Sequence, residues 1–298
     1  MKRMDSDFMS AGTRCAAWLY LPDDRPRPPV VVMAHGLAAE KVFRLPAFAE
    51  RFVEKGLAVL LFDYRNFGDS AGEPRNLISP TRHLRDWRAA LEHVRGLGEV
   101  DSARLALWGT SFSGGHVLVA AARDRKITAV VAQAPFGDGI STALSFDLKY
   151  RLTGLAHGFR DLFRILTFRE PHYVPVVADP GTFALMNTPE SKPGYLALVP
   201  EGSGWKNQAP ARIILTLPAY RPIASAPRIN CPVLLICAEK DSLIPTRAVE
   251  KLAARIRNVR MERVPAGHFD VYQGEIFETV VKMEAEFLAE TLTRRLPG

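Results

Sequence analysis

Residues 105–123 constrain this chain more than any other stretch. Residues 105–108 form a short apolar run of the kind that makes a buried strand, and residues 116–123 form an Ala- and Val-rich run that makes a helix. Between them stands Gly109-Thr110-Ser111-Phe112-Ser113-Gly114-Gly115. A serine in so tight a strand-to-helix turn projects its hydroxyl outward. Strand and helix nearly touch there, so the positions two before and two after the serine must be small. Gly109 and Ser113 hold those positions. The backbone N–H of Phe112 faces the same space, at a helix start whose dipole favours negative charge. Ser111 is thus the candidate nucleophile and Phe112 a candidate oxyanion donor. A plain helix-start turn fits the motif taken alone, so the remaining chain has to decide. Ser113 is a second serine here, but it lacks a glycine two residues before it and falls inside the first helical turn.

Strand and helix patterns alternate elsewhere. Residues 14–21 read as a strand closed by Pro22. Residues 30–34 are continuously apolar, as a central parallel strand buried on both faces requires. Residues 58–62, 129–132 and 233–237 repeat that pattern. Helical periodicity covers 46–55 (ended by Gly56), 81–97 (ended by Gly98), 245–257 and 276–293. Such alternation predicts an α/β fold with a mostly parallel sheet and right-handed crossovers.

The alternation stops between residues 137 and 229. Residues 141–168 read as one helix with a Leu/Phe face, and 171–227 as irregular chain rich in Pro, Gly and aromatics such as Tyr195, Trp205 and Tyr220. So long an apolar insertion is not a mere loop. It is expected to form a largely helical cap over the carboxyl edge of the sheet, where open α/β sheets bind ligands. The expected organisation is core 1–136, cap 137–229 and core 230–298.

Composition narrows the function. The chain has 298 residues, 47% hydrophobic and 24% charged, enough apolar material for a large core. No run of ~18 uncharged apolar residues exists, so no membrane span is expected. Residues 1–12 mix Lys2 and Arg3 with Asp5 and Asp7, without the apolar stretch of a signal peptide, and a cytoplasmic protein is expected. Cys15, Cys231 and Cys237 sit in apolar surroundings without metal-site spacing, and read as buried free thiols. The net charge of +7 is spread along the chain, not concentrated with stacking aromatics, so a nucleic-acid partner is not expected. A homodimer is left open.

A serine hydroxyl needs a base. His268, in Val264-Pro265-Ala266-Gly267-His268-Phe269, follows a strand-like run, and Gly267 is expected to let the chain turn. The imidazole needs a carboxylate to hold its tautomer. Asp241, in the loop after 233–237, fits; Glu239 and Asp270 are the rivals. The order Ser111, Asp241, His268, each after a separate strand, is that of α/β-hydrolases. A second oxyanion donor is expected at Leu37, since Gly36 in His35-Gly36-Leu37 lets the chain bend after 30–34.

With these motifs in place the chain resembles the α/β-hydrolase superfamily. The matches are His35-Gly36, Asp63-Tyr64-Arg65-Asn66-Phe67-Gly68-Asp69-Ser70, the turn at Gly109 to Gly115, Asp241 with Ile244-Pro245, and Gly267-His268-Phe269. Within it the chain is similar to serine hydrolases related to dienelactone hydrolases and Xaa-Pro peptidase-like proteins. It departs at Ser113, where Gly is usual, and at Asn66. The resemblance implies an eight-stranded sheet with helices on both faces and a cap after the sixth strand. It implies acyl transfer through an acyl-serine, with Ser111 attacking, His268 moving the proton, Asp241 orienting it and the N–H groups of Leu37 and Phe112 holding the oxyanion. It implies no metal or organic cofactor, and structural roles for Asp63 and Arg65. The expected substrate is a small to medium apolar carboxylic ester. The same residues serve amidases, peptidases, thioesterases and acyltransferases, and a non-catalytic binding protein is the remaining rival. No cap residue is assigned to substrate.

Overall fold

The computed structural model describes residues 1–293. Eight strands form the main sheet: β1 (Lys2–Asp5), β2 (Ala17–Leu21), β3 (Pro29–Ala34), β4 (Ala58–Phe62), β5 (Asp101–Thr110), β6 (Ala129–Gln133), β7 (Val233–Ala238) and β8 (Val259–Val264). Their spatial order is β1-β2-β4-β3-β5-β6-β7-β8. Every pairing from β4 to β8 is parallel, and β2 runs antiparallel to both its neighbours. β3, β4, β6 and β7 are buried at every residue, which is why they carry apolar runs without alternation.

Helices α1 (Leu45–Glu54), α2 (Pro80–Gly96) and α3 (Phe112–Arg123) connect the first strands. Ser79 starts α2 by accepting a hydrogen bond from the Arg82 N–H, with Pro80 in the first turn. The insertion between β6 and β7 contains α4 (Gly139–Ser145), α5 (Leu148–Leu166), α6 (Ser191–Leu196) and α7 (Ile213–Thr216), with short 3-10 turns after them. α8 (Thr246–Ala253) and α9 (Gly274–Thr293) follow β7 and β8. α1 packs on α9 and α2 on α3. No helix among the described residues is long and apolar enough to cross a membrane.

Two elements differ from the sequence pattern. The strand expected over 14–21 is two, because Ala16 is drawn out of the ladder. Its N–H donates to Ser70 Oγ at 2.8 Å and its carbonyl accepts from the Asp63 N–H at 2.9 Å. Residues Thr13–Cys15 therefore form a hairpin with Phe8–Ser10 before β2 begins. The helix expected over 141–168 breaks between α4 and α5. Asp147 has extended backbone and its carboxylate accepts the Tyr150 N–H at 2.8 Å, so it caps a new helix instead of continuing the old one. All three cysteines are free and buried, and burial pushes the Cys231 thiol up to about 11.

Candidate active site

Ser111 sits between β5 and α3 with φ 54° and ψ −118°, a backbone that non-glycine residues rarely adopt. Its surroundings hold it there. Its N–H donates to the Gln133 carbonyl at 2.8 Å, and its carbonyl accepts from Phe136 N–H at 2.9 Å. Strain of this kind costs about 1–3 kcal/mol and persists only when neighbours over-determine it. Gly109 is essential to the turn: a Cβ there would lie 2.4 Å from the Ser113 carbonyl oxygen. Gly109→Ala is therefore expected to lower the unfolding free energy by about 3 kcal/mol or more, read as a shifted denaturant midpoint. A midpoint unchanged from wild type would refute this account of the turn. Ser113 is fully buried and shares a 2.8 Å hydrogen bond with the Tyr64 hydroxyl, which also accepts from Trp87 Nε1. It fills the small position and does not face the cleft.

The structure brings Ser111, His268 and Asp241 together. His268 Nε2 is 3.0 Å from Ser111 Oγ, and His268 Nδ1 is 2.6 Å from Asp241 Oδ2. Asp241 Oδ1 accepts the N–H groups of Leu243 and Ile244 at 2.8 and 2.7 Å. With both carboxylate oxygens accepting, the imidazole hydrogen belongs on Nδ1, which leaves the Nε2 lone pair for the serine proton. Burial opposes protonation of His268, but the charge of Asp241, its hydrogen bond and the charge of Glu190 outweigh burial and hold its pKa above the usual 6.5. The rival acids point elsewhere. Asp270 accepts the Gly267 N–H at 2.7 Å, and Glu239 lies 3.9 Å from Arg263.

Leu37 and Phe112 line the same cleft as Ser111 and His268. Gly36 permits this approach, since a Cβ on it would stand 3.2 Å from the Ser111 Cβ. Asp63 fastens the loop behind, accepting from the Lys41 N–H, Lys41 Nζ and the Asp69 N–H, while Arg65 pairs with buried Asp86. His83 and His116 lie beneath the turn, 3.2 Å apart, with His116 bonded to the Tyr220 hydroxyl; burial holds both neutral.

Three residues of the insertion escaped the sequence pattern. Tyr195 donates to the Leu37 carbonyl at 2.9 Å and Trp205 to the Ala38 carbonyl at 2.8 Å, so they fix the loop that carries the Leu37 N–H. Glu190 spans the loops that carry Asp241 and His268. Its Oε2 accepts the His268 N–H at 2.8 Å, and its Oε1 accepts the Ser242 N–H at 2.7 Å and the Ser242 hydroxyl. This revises the expectation for Gly267. Its φ is not positive; it is small because a Cβ there would lie 2.5 Å from Glu190 Oε2.

The cleft beside Ser111 encloses about 130 Å³. Leu37, Phe146, Leu185 and Leu217 line both it and a larger apolar chamber of about 280 Å³ under α4 and α5. A serine hydroxyl with an oriented base, beside adjoining apolar hollows, is an arrangement that can activate a nucleophile next to a bound apolar group.

Residues 31–278 match the model of the alpha/beta hydrolase family, and this chain belongs to that family. Over 287 residues it is 42% identical to the quorum-quenching protein AidA of Acinetobacter baumannii, covering 96% of this chain and 94% of the relative. It is 28% identical to the polyketide transferase af380 of Aspergillus fumigatus, covering 98% of this chain and 99% of that protein. Among solved structures it is similar to the alpha/beta hydrolase GrgF from a Penicillium species, with TM-score 0.85, 25% identity and 99% and 100% of the two chains covered.

Proposed function

We propose that this protein cleaves carboxylic esters of small to medium apolar acyl groups through an acyl-Ser111 intermediate. The observation that carries the reading is the Asp241–His268–Ser111 hydrogen-bond relay opening onto the apolar cleft. His268 Nε2 takes the Ser111 proton as Oγ attacks the carbonyl carbon. The N–H groups of Leu37 and Phe112 stabilise the oxyanion, each worth on the order of 3 kcal/mol of barrier. Imidazolium then protonates the leaving alcohol, and His268 next activates a water that releases the acid. The insertion acts as the cap, and its chamber takes the acyl chain. Kinship with dienelactone hydrolases and Xaa-Pro peptidase-like proteins, and a cytoplasmic site of action, belong to this reading; the free thiols accord with a reducing compartment.

Hydrolysis of a chain-length series of p-nitrophenyl esters tests it. A preference for medium chains over acetate is expected. No turnover of any ester by folded protein would reject it. A second reading is acyl transfer to an alcohol, amine or thiol, favoured by the similarity to a polyketide transferase along nearly the whole chain. An acceptor-derived product exceeding free acid would establish it. Amide and thioester donors are compared in the same assay.

Glu190 supplies a further expected outcome. Its charge adds to that of Asp241 in favouring protonated His268, and its hydrogen bonds hold the His268 loop. Only neutral His268 accepts the serine proton, so kcat/KM falls as pH drops through the His268 pKa. That acid limb should lie above 6.5 in the wild type. Glu190→Gln should move the limb to lower pH and reduce kcat by about 10- to 100-fold, the worth of one hydrogen bond to a charged group. An unmoved limb would remove Glu190 from the electrostatics of the site.

A further inference from the structure

The outer side of the insertion carries an apolar face. α5 turns Gly154, Gly158 and Asp161 inward; Cβ atoms on the two glycines would meet Ile214 and Leu215 of α7 at 3.3 and 2.8 Å. Its outward face is Leu148, Leu152, Leu155, Phe159, Leu162, Phe163 and Leu166, each 39% to 70% exposed. These residues fall on one helical stripe, and the stripe contains no charged residue. Leu144 of α4, which lines the same chamber as Leu155, extends it, and Phe168 just past the helix is 99% exposed. At ~150–250 Å² for a large side chain, the exposed part amounts to on the order of 1,000 Å². Monomeric proteins expose single patches of roughly 300–600 Å².

We infer that this face docks a second copy of the chain, α5 antiparallel to α5 about a two-fold axis. The area is what such an interface needs, about 800 Å² per partner. The stripe is self-complementary, as an isologous contact requires. Its ends also match. Asp147 and Lys149 stand at the start of the stripe, and Arg169 and Glu170 beyond its end. Antiparallel pairing brings Asp147 of one copy towards Arg169 of the other, and Lys149 towards Glu170. An anionic lipid surface is the rival occupant, since Lys149, Arg151, Arg160, Arg164 and Arg169 beside the stripe outnumber Asp147 and Glu170, and the vesicle arm of the test below separates it from a second copy.

Docking would complete the site. Leu144 and Leu155 line the apolar chamber and are also exposed, so the second copy would wall the chamber's outer side. This consequence rests on the reading that the chamber holds the acyl chain; the docking itself does not.

Sedimentation velocity at low to high micromolar concentration tests the inference on wild type and Phe159→Asp. Phe159 does not line the chamber. Wild type should be a dimer, and Phe159→Asp a monomer that still melts in one cooperative transition, at a lower temperature because the partner's stabilisation is lost. Phe163→Asp serves if the first variant loses its fold. The monomeric variant should keep its turnover of p-nitrophenyl acetate, while KM for the decanoate rises severalfold. A wild type that stays monomeric, or a variant that stays dimeric, overturns the inference. So does a monomeric wild type that co-sediments with phosphatidylglycerol vesicles. Because oligomeric state is read without substrate, an enzyme inactive on esters would reject the proposed chemistry and leave this test intact.

Discussion

Ser111→Ala is expected to lower kcat on p-nitrophenyl esters by on the order of a millionfold, the loss seen when a triad nucleophile is removed. The variant should fold as wild type does. Ser111 Oγ has His268 Nε2 as its protein partner, while the backbone bonds to Gln133 and Phe136 that shape the turn do not involve the side chain. Alanine also tolerates the turn no worse than serine, since both carry one Cβ. Without Oγ no acyl intermediate forms. What survives is attack by a water placed beside His268, still helped by two backbone N–H groups. An active-site phosphonate should add its mass to the wild type and not to the variant. Retention of more than about 1% of wild-type kcat would mean that another group attacks. Ser113→Ala is the internal control: it removes the buried bond to Tyr64, costing about 1–2 kcal/mol of stability, and should leave turnover in place.

Asp241→Asn should lower kcat by about 10⁴-fold with little change in fold. The reason lies in the other oxygen. Oδ1 accepts the N–H groups of Leu243 and Ile244, and an amide keeps those bonds only by placing its carbonyl oxygen there. Its NH₂ must then face His268 Nδ1, which becomes an acceptor. The imidazole hydrogen moves to Nε2, and the ring can no longer take the Ser111 proton. Loss of the negative charge also removes the main interaction raising the His268 pKa, so the acid limb of kcat/KM should fall. A loss below about tenfold would pass the role to Glu239 or Asp270 and refute the assignment.

Much of the site was legible before any coordinates because its parts are local. Gly109 and Ser113 answer the steric demand of one turn, and Ser111 stands out between them as the side chain that turn exposes. The apolar runs that became β3, β4, β6 and β7 are dictated by burial on both faces. Asp241 and His268 were legible through their places in loops after such runs, and the structure joins them to Ser111 by hydrogen bonds. Breaks within elements were harder to see. Ala16 leaves its strand because of Ser70 and Asp63, both distant in sequence. Gly267 read as a turn residue, yet its size answers to a carboxylate from another part of the chain.

By itself the sequence determined the α/β architecture, the strained serine turn and the order of serine, acid and histidine. Those follow from hydrophobic period and short-range sterics, which act between neighbours along the chain. Only the tertiary structure decided that Glu190 bridges the two loops, that Tyr195 and Trp205 steady Leu37, and that a chamber lies beneath α4 and α5. Glu190 lies 78 residues from His268, and no periodicity spans that distance. A carboxylate reads the same in any loop until packing chooses the N–H groups it will face.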